Sequence, residues 1–350
     1  MNFTFLRCVL LACACVGAAP LGLAQAPPAQ VRPLAAQPLQ SPANQRGISE
    51  WLLRMHDASR RRAFIGTLVV SSGGHMASSR IWHVCDGDQQ IERVESLSGV
   101  PRSTFRRNDQ IIIFSPQTKV AVVEKRESLG QFPNFLKSQD GVIEQYYSAV
   151  QTGAERVAGV EADVVRLEPR DGMRFGYRVW SEKKTGLAVK LQTLDDQGRI
   201  LEEVAFSELQ LDAPVSMDKL SRMMANTGGY KVETPAEQLK TTAAAEGWRL
   251  KSPVPGFRPM GCLRSRAAGA MAHAGPTMQW IFSDGLASVS LFIEAYERRR
   301  HGPEALTAMG ATHMLTQRWS DDTGEWWLTA VGEVPLQTLQ AFAQGIERKK

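Results

Sequence analysis

Apolar and polar residues alternate in three successive runs between residues 174 and 211, and this two-residue period predicts three β-strands. The runs are separated by residues 184–186 and 195–198, where Gly186 and Gly198 can take the positive φ that hairpin turns need. An antiparallel meander with one apolar face must pack on something, so we expect a helix or a ligand to cover it. The apolar positions are Phe175, Tyr177 and Val179, then Leu187, Val189 and Leu191, and then Ile200, Leu201, Val204 and Phe206.

Short alternating runs separated by turn residues also precede and follow this meander. Those before it predict one large antiparallel sheet, and those after it predict a second, smaller sheet. Besides the meander, the predicted strands of the large sheet are 64–70, 78–85, 89–97, 102–108, 110–114, 118–125, 154–157 and 161–168. The predicted strands of the smaller sheet are 260–267, 277–283, 287–294, 311–319 and 325–332.

Apolar residues at helical spacing predict a helix at 47–59 and a short one at 217–224, and similar spacing at 132–150 predicts helix across the open face of the large sheet. A capping box at residues 234–237 predicts a helix that Gly247 closes. A last helix is predicted from Pro335 through Ile346, ended by three basic residues. The predicted fold class is therefore α+β, with a large curved antiparallel sheet plugged by helices and a smaller α+β domain after it.

The first 24 residues have the layout of a cleaved secretory signal. Arg7 precedes an apolar run that is too short to cross a bilayer, and Gly22 and Ala24 fit the small-residue positions of a cleavage site. Cleavage at Cys13 as a lipoprotein is the alternative, although few apolar residues precede it. The predicted boundaries are 1–24 for the signal peptide, 25–45 for a Pro-rich leader, 46–212 for an N-terminal domain, 213–233 for a linker and 234–350 for a C-terminal domain.

Composition adds a bias in charge. The 350 residues are 43% hydrophobic and 22% charged, as in an ordinary globular protein, and the net charge is only +5. Residues 54–107 nevertheless contain nine arginines, no lysine and five acids. Arginine suits phosphate and carboxylate groups, so we expect a lipid headgroup or an acidic protein segment as partner, and no nucleic acid, because the chain is exported. A merely solvated face is the alternative.

Motifs for catalysis or metal binding are weak. Ser283 stands beside Asp284, but the pair precedes an alternating strand and is better explained as a turn. His83 and Cys85 share one face of a strand, so a thiol–imidazole pair is geometrically possible. Cys85 and Cys262 remain after signal cleavage and can be bridged or free. The six histidines show no metal-ligand spacing, so we expect no enzyme, no metal and no cofactor.

Several segments, in order and at matching spacing, resemble the MucB/RseB family of periplasmic regulators of the envelope-stress sigma factor sigma-E. The resemblance covers residues 46–346. In the N-terminal part it is carried by 64–70, 76–83, 92–99, 156–159, 169–171, 177–180 and 185–187, and in the C-terminal part by 283–290 and 331–335.

This resemblance implies a periplasmic protein with two domains. The first would be a half-barrel like that of lipoprotein carriers, around an apolar cavity. The second would bind the periplasmic part of a membrane-anchored anti-sigma factor and shield it from proteolysis, until a lipid or lipopolysaccharide fragment releases it. A periplasmic lipid or lipoprotein carrier is the alternative, and self-association into a homo-oligomer stays open.

Two groups of residues are candidate sites. The first is a lipid cavity, in which the strands near residue 113 carry more apolar side chains than one buried face needs and nearby arginines can meet a headgroup: Ile111, Ile113, Phe114, Val122, Arg102, Arg106 and Arg107. The second is a set of large apolar anchors in residues 234–350 for the anti-sigma factor: Trp248, Phe257, Leu286, Phe292, Trp326 and Trp327.

Overall fold

Two large β-sheets with helices packed on them make up the described part of the chain. The computed structural model describes residues 46–87, 89–125, 142–234, 238–265 and 276–349. The predicted signal peptide and leader, residues 1–45, lie outside these ranges, as does most of the helical segment predicted at 132–150. Among the described helices, none has the length and apolar character that crossing a membrane requires.

The larger sheet has 12 strands. They are β1 (Phe64–Ser72), β2 (His75–Asp86), β3 (Gln89–Ser96), β4 (Ser103–Arg107), β5 (Gln110–Ser115), β6 (Val120–Lys125), β7 (Tyr147–Val157), β8 (Val160–Pro169), β9 (Gly176–Glu182), β10 (Ala188–Leu194), β11 (Ile200–Leu211) and β12 (Lys231–Glu233). Their order is β12-β6-β5-β4-β3-β2-β1-β11-β10-β9-β8-β7. Only β12, which pairs with β6, runs parallel to its neighbour.

Three helices accompany this sheet: α1 (Ile48–Arg61), α2 (Ile143–Tyr146) and α3 (Met217–Ala225). In α1 the apolar residues recur every three or four positions, so Trp51, Leu52 and Met55 all point into the core against Tyr147. The side chain of Ser216 caps α3 by accepting a hydrogen bond from the Lys219 N–H at 3.2 Å.

Helices α1 and α3 cover opposite faces of the larger sheet. Ala58 of α1 packs in a cluster with Ile81, whereas Leu220 and Met224 of α3 pack in a cluster that includes Trp82. Since consecutive residues of a strand point to opposite faces, the two clusters lie on different sides of β2. The sheet is thus buried on both faces in part of its width.

The smaller sheet has seven strands and follows the larger one in the chain. Its strands are β13 (Gln238–Lys240), β15 (Arg258–Ser265), β16 (Thr277–Ser283), β17 (Ser288–Ala295), β18 (Ala305–Met309), β19 (Thr312–Asp321) and β20 (Gly324–Gly332), in the order β13-β15-β16-β17-β20-β19-β18. Helix α4 (Leu336–Gly345) packs Leu339 and Phe342 against Phe282, Leu291 and Leu328. A separate pair joins β14 (Trp248–Leu250) to β21 (Ile346–Arg348).

The predicted α+β class, with a large open curved sheet and a smaller sheet at the C-terminal end, is confirmed. The meander forms β9, β10 and β11 as its alternation predicts, and Gly186 and Gly198 take φ values of 88° and 76° at the two turns. Within the predicted linker, 213–233, α3 and β12 both pack on the larger sheet.

The helix predicted from the capping box is wrong. Residues 235–237 lie outside the described ranges, but the chain then forms strand β13 and a turn at 243–247. Leu239 is exposed, and only Ala243 of this segment is buried, so a helix here would have no apolar stripe to pack. Backbone pairing of β13 with β15 outweighs the local capping signal.

Two other helical predictions are too long. The last helix ends at Gly345, and residues Ile346–Arg348 instead form β21, where Arg348 lies 4.9 Å from the Trp248 ring. In the segment 132–150, the described part contains the short α2 and then strand from Tyr147 onward. In both places strand pairing overrides a locally helical pattern: β21 pairs with the distant β14, and β7 pairs with the following strand, β8.

Candidate partner-binding and ligand-binding surfaces

The four apolar residues of the predicted lipid cavity lie on two faces of the larger sheet. Ile111 and Ile113 on β5 and Val122 on β6 are half-buried on the face away from α3, and Ile113 pairs directly with Val122. Phe114 points to the other face, where its ring meets that of Phe105 edge-on at 5.7 Å. Phe114 is therefore a core residue beneath α3.

The three arginines predicted to meet a headgroup also do not lie together on one face of the sheet. Arg106 pairs with Ile111 across β4 and β5, so it shares the face of the apolar trio. Arg107 pairs with Ile91 and hence lies on the α3 side, exposed at the end of β4. Arg102 is exposed just before β4 begins. Only Arg106 is next to the apolar residues that it was predicted to accompany.

A cavity of about 650 Å³ occurs elsewhere, between the larger sheet and the segment that leads into α4. Its walls include Leu167, Tyr177 and the β10–β11 turn on one side, and His313 and Gln337 on the other. None of the seven predicted lipid residues lines it. The apolar lipid pocket on β5 and β6 stays a prediction.

Arg174, in the connection from β8 to β9, joins the two sheets, and its side chain is fully buried. It donates to Asp284 Oδ2 at 2.8 Å and to Asp171 Oδ2 at 2.6 Å. A third contact reaches the carbonyl oxygen of Pro255, and the guanidinium carbon lies 4.9 Å from the centre of the Phe257 ring. Charge, hydrogen bonds and ring contact together satisfy this buried cation.

Asp284, in the β16–β17 turn, is as completely satisfied as its partner. Its Oδ1 accepts the N–H groups of Leu286 and Ala287 at 2.9 and 2.8 Å, and its Oδ2 accepts the Tyr147 hydroxyl at 3.4 Å as well as Arg174. Burial raises the pKa of Asp284, and the N–H donors and Arg174 oppose that rise. Burial raises the pKa of Tyr147 well above its ordinary value, and the negative charge of Asp284 adds to that rise.

The neighbouring Ser283 serves the same turn. Its hydroxyl donates to the Ala287 carbonyl oxygen at 2.9 Å and accepts the Gly285 N–H at 3.0 Å. Ser283 and Asp284 thus shape and anchor the turn, in keeping with the interpretation of this motif as structural.

Sequence reasoning did not pair Arg174 with Asp284 or Tyr147. One signal was present, since Arg174 is a charged residue between Met173 and Phe175. Its partner lies 110 residues away, and no periodicity or motif connects positions so distant.

Three of the six predicted anchors belong to the interior of the C-terminal part. Trp248 is 3% exposed and Phe257 7% exposed, and both pack in the core with α4. Trp326 packs against that core, edge-on to Trp248 at 5.4 Å, and the Arg348 guanidinium lies 4.6 Å from its ring. These residues stabilise the fold and present little surface to a partner.

The other three anchors point elsewhere. Leu286 packs against the cluster that contains Tyr147, at the junction of the two sheets. Phe292 and Trp327 lie on the face of the smaller sheet opposite α4, because Leu291 and Leu328 beside them point to α4. Phe292 is half-buried on that face, whereas Trp327 is only 7% exposed, as buried as Phe257.

The face opposite α4, which we call the outer face, has an aromatic stack at one side. The Trp327 ring lies parallel to His301 at 5.0 Å and 12°, and Tyr296 continues the stack 5.6 Å from His301. Half-buried aliphatic residues extend the apolar surface across the strands: Leu263, Ile281 and Val331. The outer face therefore presents apolar side chains on a rigid sheet.

Exposed arginines border the aromatic stack of the outer face. Arg298 and Arg299 are exposed on the loop after β17. Arg318 on β19 lies 4.7 Å from the Tyr296 ring and forms an ion pair with Glu325. Apolar side chains beside positive charge suit a segment that carries both apolar and acidic residues.

The two cysteines beyond the predicted signal peptide are free thiols. Cys85 is half-buried on β2 of the larger sheet, and Cys262 is buried on β15 of the smaller one. Burial raises the pKa of Cys262 to about 11. Across the residues that the structure describes, no three histidine, cysteine or acidic side chains are grouped so that they could hold a metal ion.

Two family models match the chain: the MucB/RseB N-terminal domain over residues 47–224 and the MucB/RseB C-terminal domain over residues 242–347. The chain belongs to the MucB/RseB family. Among MucB/RseB relatives, the sigma factor AlgU regulatory protein MucB of Pseudomonas aeruginosa is 29% identical over 307 residues, covering 87% of this chain and 92% of MucB. The sigma-E factor regulatory protein RseB of Escherichia coli K12 is 24% identical over 271 residues, covering 77% and 81%.

Solved MucB structures have the same fold. The crystal structure of MucB in complex with MucA(peri) matches with a TM-score of 0.67 and 26% identity, over 86% of this chain and 99% of that one. The complex structure of Pseudomonas aeruginosa MucA/MucB matches with a TM-score of 0.68 and 27% identity, with the same coverage. The likeness therefore includes both sheets.

Proposed function

We propose that this protein is a periplasmic regulator of the sigma-E envelope-stress pathway, which binds the periplasmic segment of the membrane anti-sigma factor and shields it from proteolysis. The main support is the likeness, over almost the whole MucB chain, to a MucB solved with MucA(peri). The names of the relatives, both regulators of a sigma factor, support the same pathway. The predicted signal peptide supports the compartment.

The outer face of the smaller sheet is the proposed contact with the anti-sigma segment. Phe292 is the central apolar residue there, and the buried Trp327 ring supports that face through its stack with His301. Arg298 and Arg299 would meet acidic residues of the segment. In this proposal residues 234–350 bind the segment, and residues 46–212 regulate that binding.

Substitution of Phe292 tests the contact. We expect Phe292→Ser to weaken binding of the anti-sigma periplasmic segment about tenfold or more, since a central aromatic anchor commonly contributes 2 kcal/mol or more. The measurement is calorimetric affinity with the full-length mature protein, together with the rate at which the pathway's protease cleaves the segment.

The matched control is Val100→Ser, which changes an apolar side chain that is 66% exposed in the larger sheet's β3–β4 connection. It should leave affinity and protection unchanged. If Phe292→Ser binds and protects as well as the wild type, the contact does not lie on the outer face.

A second proposal concerns the signal. The half-buried trio of Ile111, Ile113 and Val122, with Arg106 beside it, supports binding of an acyl chain with an anionic headgroup. Each buried methylene of such a chain is worth roughly 0.8 kcal/mol. The lipid would release the anti-sigma segment, and a simple lipid carrier would bind lipid without that effect.

Fluorescent fatty acids and lipid A fragments test this second proposal. We expect saturable binding by the wild type, reduced about tenfold in Ile113→Asn and unchanged in Val100→Asn. Binding that does not saturate would contradict the proposal of an acyl-chain pocket. Saturable binding that leaves the anti-sigma complex intact would favour the carrier function.

A further inference from the structure

A buried histidine on β2 of the larger sheet has no satisfied hydrogen bond, although such groups are nearly always paired. His83 is 1% exposed, and neither ring nitrogen has a hydrogen-bond partner. Its ring is held parallel to that of Phe64, 4.9 Å away and inclined by 14°. The imidazole is thus fixed in place by packing, without a hydrogen bond to either ring nitrogen.

Two reactive groups are next to this imidazole. Glu92 is its cross-strand neighbour on β3, with Oε2 at 3.5 Å from Nδ1 and no hydrogen bond to that oxygen, and Arg106 of β4 is the neighbour of Glu92 on its other side. Cys85, two residues along β2, points to the same face. Burial lowers the pKa of His83, but contacts with the Cys85 side chain and the Glu92 carboxylate raise it above the ordinary value. An imidazole beside a thiol can take up the thiol proton, and the thiolate that remains is the nucleophile.

The second cysteine lies in a different environment. Cys262 is buried in the core with α4, and its thiol stays protonated because burial raises its pKa to about 11. Cys85 is half-buried, so a small reagent can reach it. The chain therefore contains its own internal comparison for cysteine reactivity.

We infer that Cys85 is an oxidation site for hydroperoxides, with His83 and Glu92 as the residues that position and charge it. The Cys85 thiolate attacks one peroxide oxygen, so that an S–O bond forms and the O–O bond breaks. Sulfur loses two electrons and the peroxide gains them. The departing hydroxide takes the proton of the His83 imidazolium and leaves as water, which gives a sulfenic acid at Cys85.

The test uses the full mature chain with one cysteine at a time. Cys262→Ser retains Cys85, and Cys85→Ser retains Cys262. Each is treated with hydrogen peroxide and dimedone, and the sulfenic acid adduct is counted by intact mass. We expect the Cys262→Ser protein to gain one adduct at least tenfold faster than the Cys85→Ser protein.

In the Cys262→Ser background, His83→Gln should lower the rate of adduct formation at least tenfold. Glu92→Gln in the same background should lower that rate severalfold. His313→Gln in the same background is the matched control, since His313 belongs to β19 of the smaller sheet and should leave the rate unchanged. If His83→Gln does not fold, Glu92→Gln alone decides, because it keeps the shape of the side chain. Equal rates for the two single-cysteine proteins, or a rate unaffected by Glu92→Gln and His83→Gln, would overturn the inference.

Discussion

Two buried polar clusters in this protein have opposite character. At the junction of the sheets, Arg174 and Asp284 are both fully buried, 2.8 Å apart, and each makes several further hydrogen bonds. On β2 and β3, His83 Nδ1 and Glu92 Oε2 are 3.5 Å apart, and neither these two atoms nor His83 Nε2 makes a hydrogen bond. The first arrangement is expected of a pair that holds a fold together, and the second of groups kept available for chemistry.

The two clusters differ in how completely their buried charged groups are hydrogen-bonded. A buried ion pair is tolerated when every lone pair and proton has a partner, because only then does the attraction offset desolvation. His83 and Glu92 keep their positions through ring packing and strand register, with one longer contact of 3.5 Å between them. Breaking the junction should therefore be costly for stability, whereas changes at His83 should act mainly on reactivity and on pH dependence.

Asp284→Ala is expected to have the largest effect. It leaves Arg174 buried without its carboxylate, which should lower the free energy of unfolding by about 3–5 kcal/mol. Urea denaturation measures the loss. The matched control is Glu208→Ala, which breaks the half-exposed pair with Arg80 and should cost less than about 1 kcal/mol. Similar losses of unfolding free energy in the two variants would contradict the expectation that the buried pair contributes more to stability than the exposed one.

Gly256→Ala should have the second largest effect on stability, because the added β-carbon would clash with side chains of the same junction. A β-carbon there would lie 2.7 Å from the Tyr146 ring and against the Arg174 guanidinium, at a φ of +80°. We expect a loss of about 3 kcal/mol, from overpacking and backbone strain together. Gly198→Ala has a φ of +76° with nothing within 4 Å, so it should cost only about 1 kcal/mol. Thermal unfolding of both proteins would separate the two contributions.

Removing a single hydroxyl is a finer probe of the junction. Tyr147→Phe loses the hydrogen bond to Asp284 and should cost about 1 kcal/mol in urea denaturation. Tyr177→Phe removes a buried hydroxyl that has no partner, so its stability should be unchanged within about 0.5 kcal/mol or slightly higher. A larger loss in Tyr177→Phe than in Tyr147→Phe would contradict this account of the junction.

The smallest expected effect is on the pH dependence of stability. The folded state raises the pKa of His83 above 6.5, so its contribution is present below about pH 6.5 and is lost as pH rises through the folded pKa. Burial lowers the pKa of His313, so its contribution is present above about pH 6.5 and is lost as pH falls.

Unfolding free energies between about pH 5 and pH 8, for the wild type, His83→Gln and His313→Gln, check these signs. Relative to the wild type, His83→Gln should be less destabilised at high pH, and His313→Gln less destabilised at low pH. Parallel curves for the two variants would show that the two histidines do not differ in this way.

The sequence predicted the strands well, because period-two alternation and glycine turns are local signals, as in β9 to β11. It failed where pairing between distant segments decides the structure, as in β13 and β21. Alternation also implied that Phe114 and Ile113 point to opposite faces, but it does not reveal which face a helix covers. The Arg174–Asp284 pair depends on how the two sheets meet, and residues far apart in sequence carry no local record of that.

The pairing of β1 with β11 has a consequence for how the chain matures. Phe64 opposes Leu211, so a central strand of the larger sheet finds one of its two neighbours only after the rest of that sheet's meander has been made. A chain that is made N-terminus first would expose β1 and its hairpin with β2 during this interval. Such late closure slows folding and favours contact with chaperones, so the yield of folded protein should depend on how long that unpaired edge stays protected.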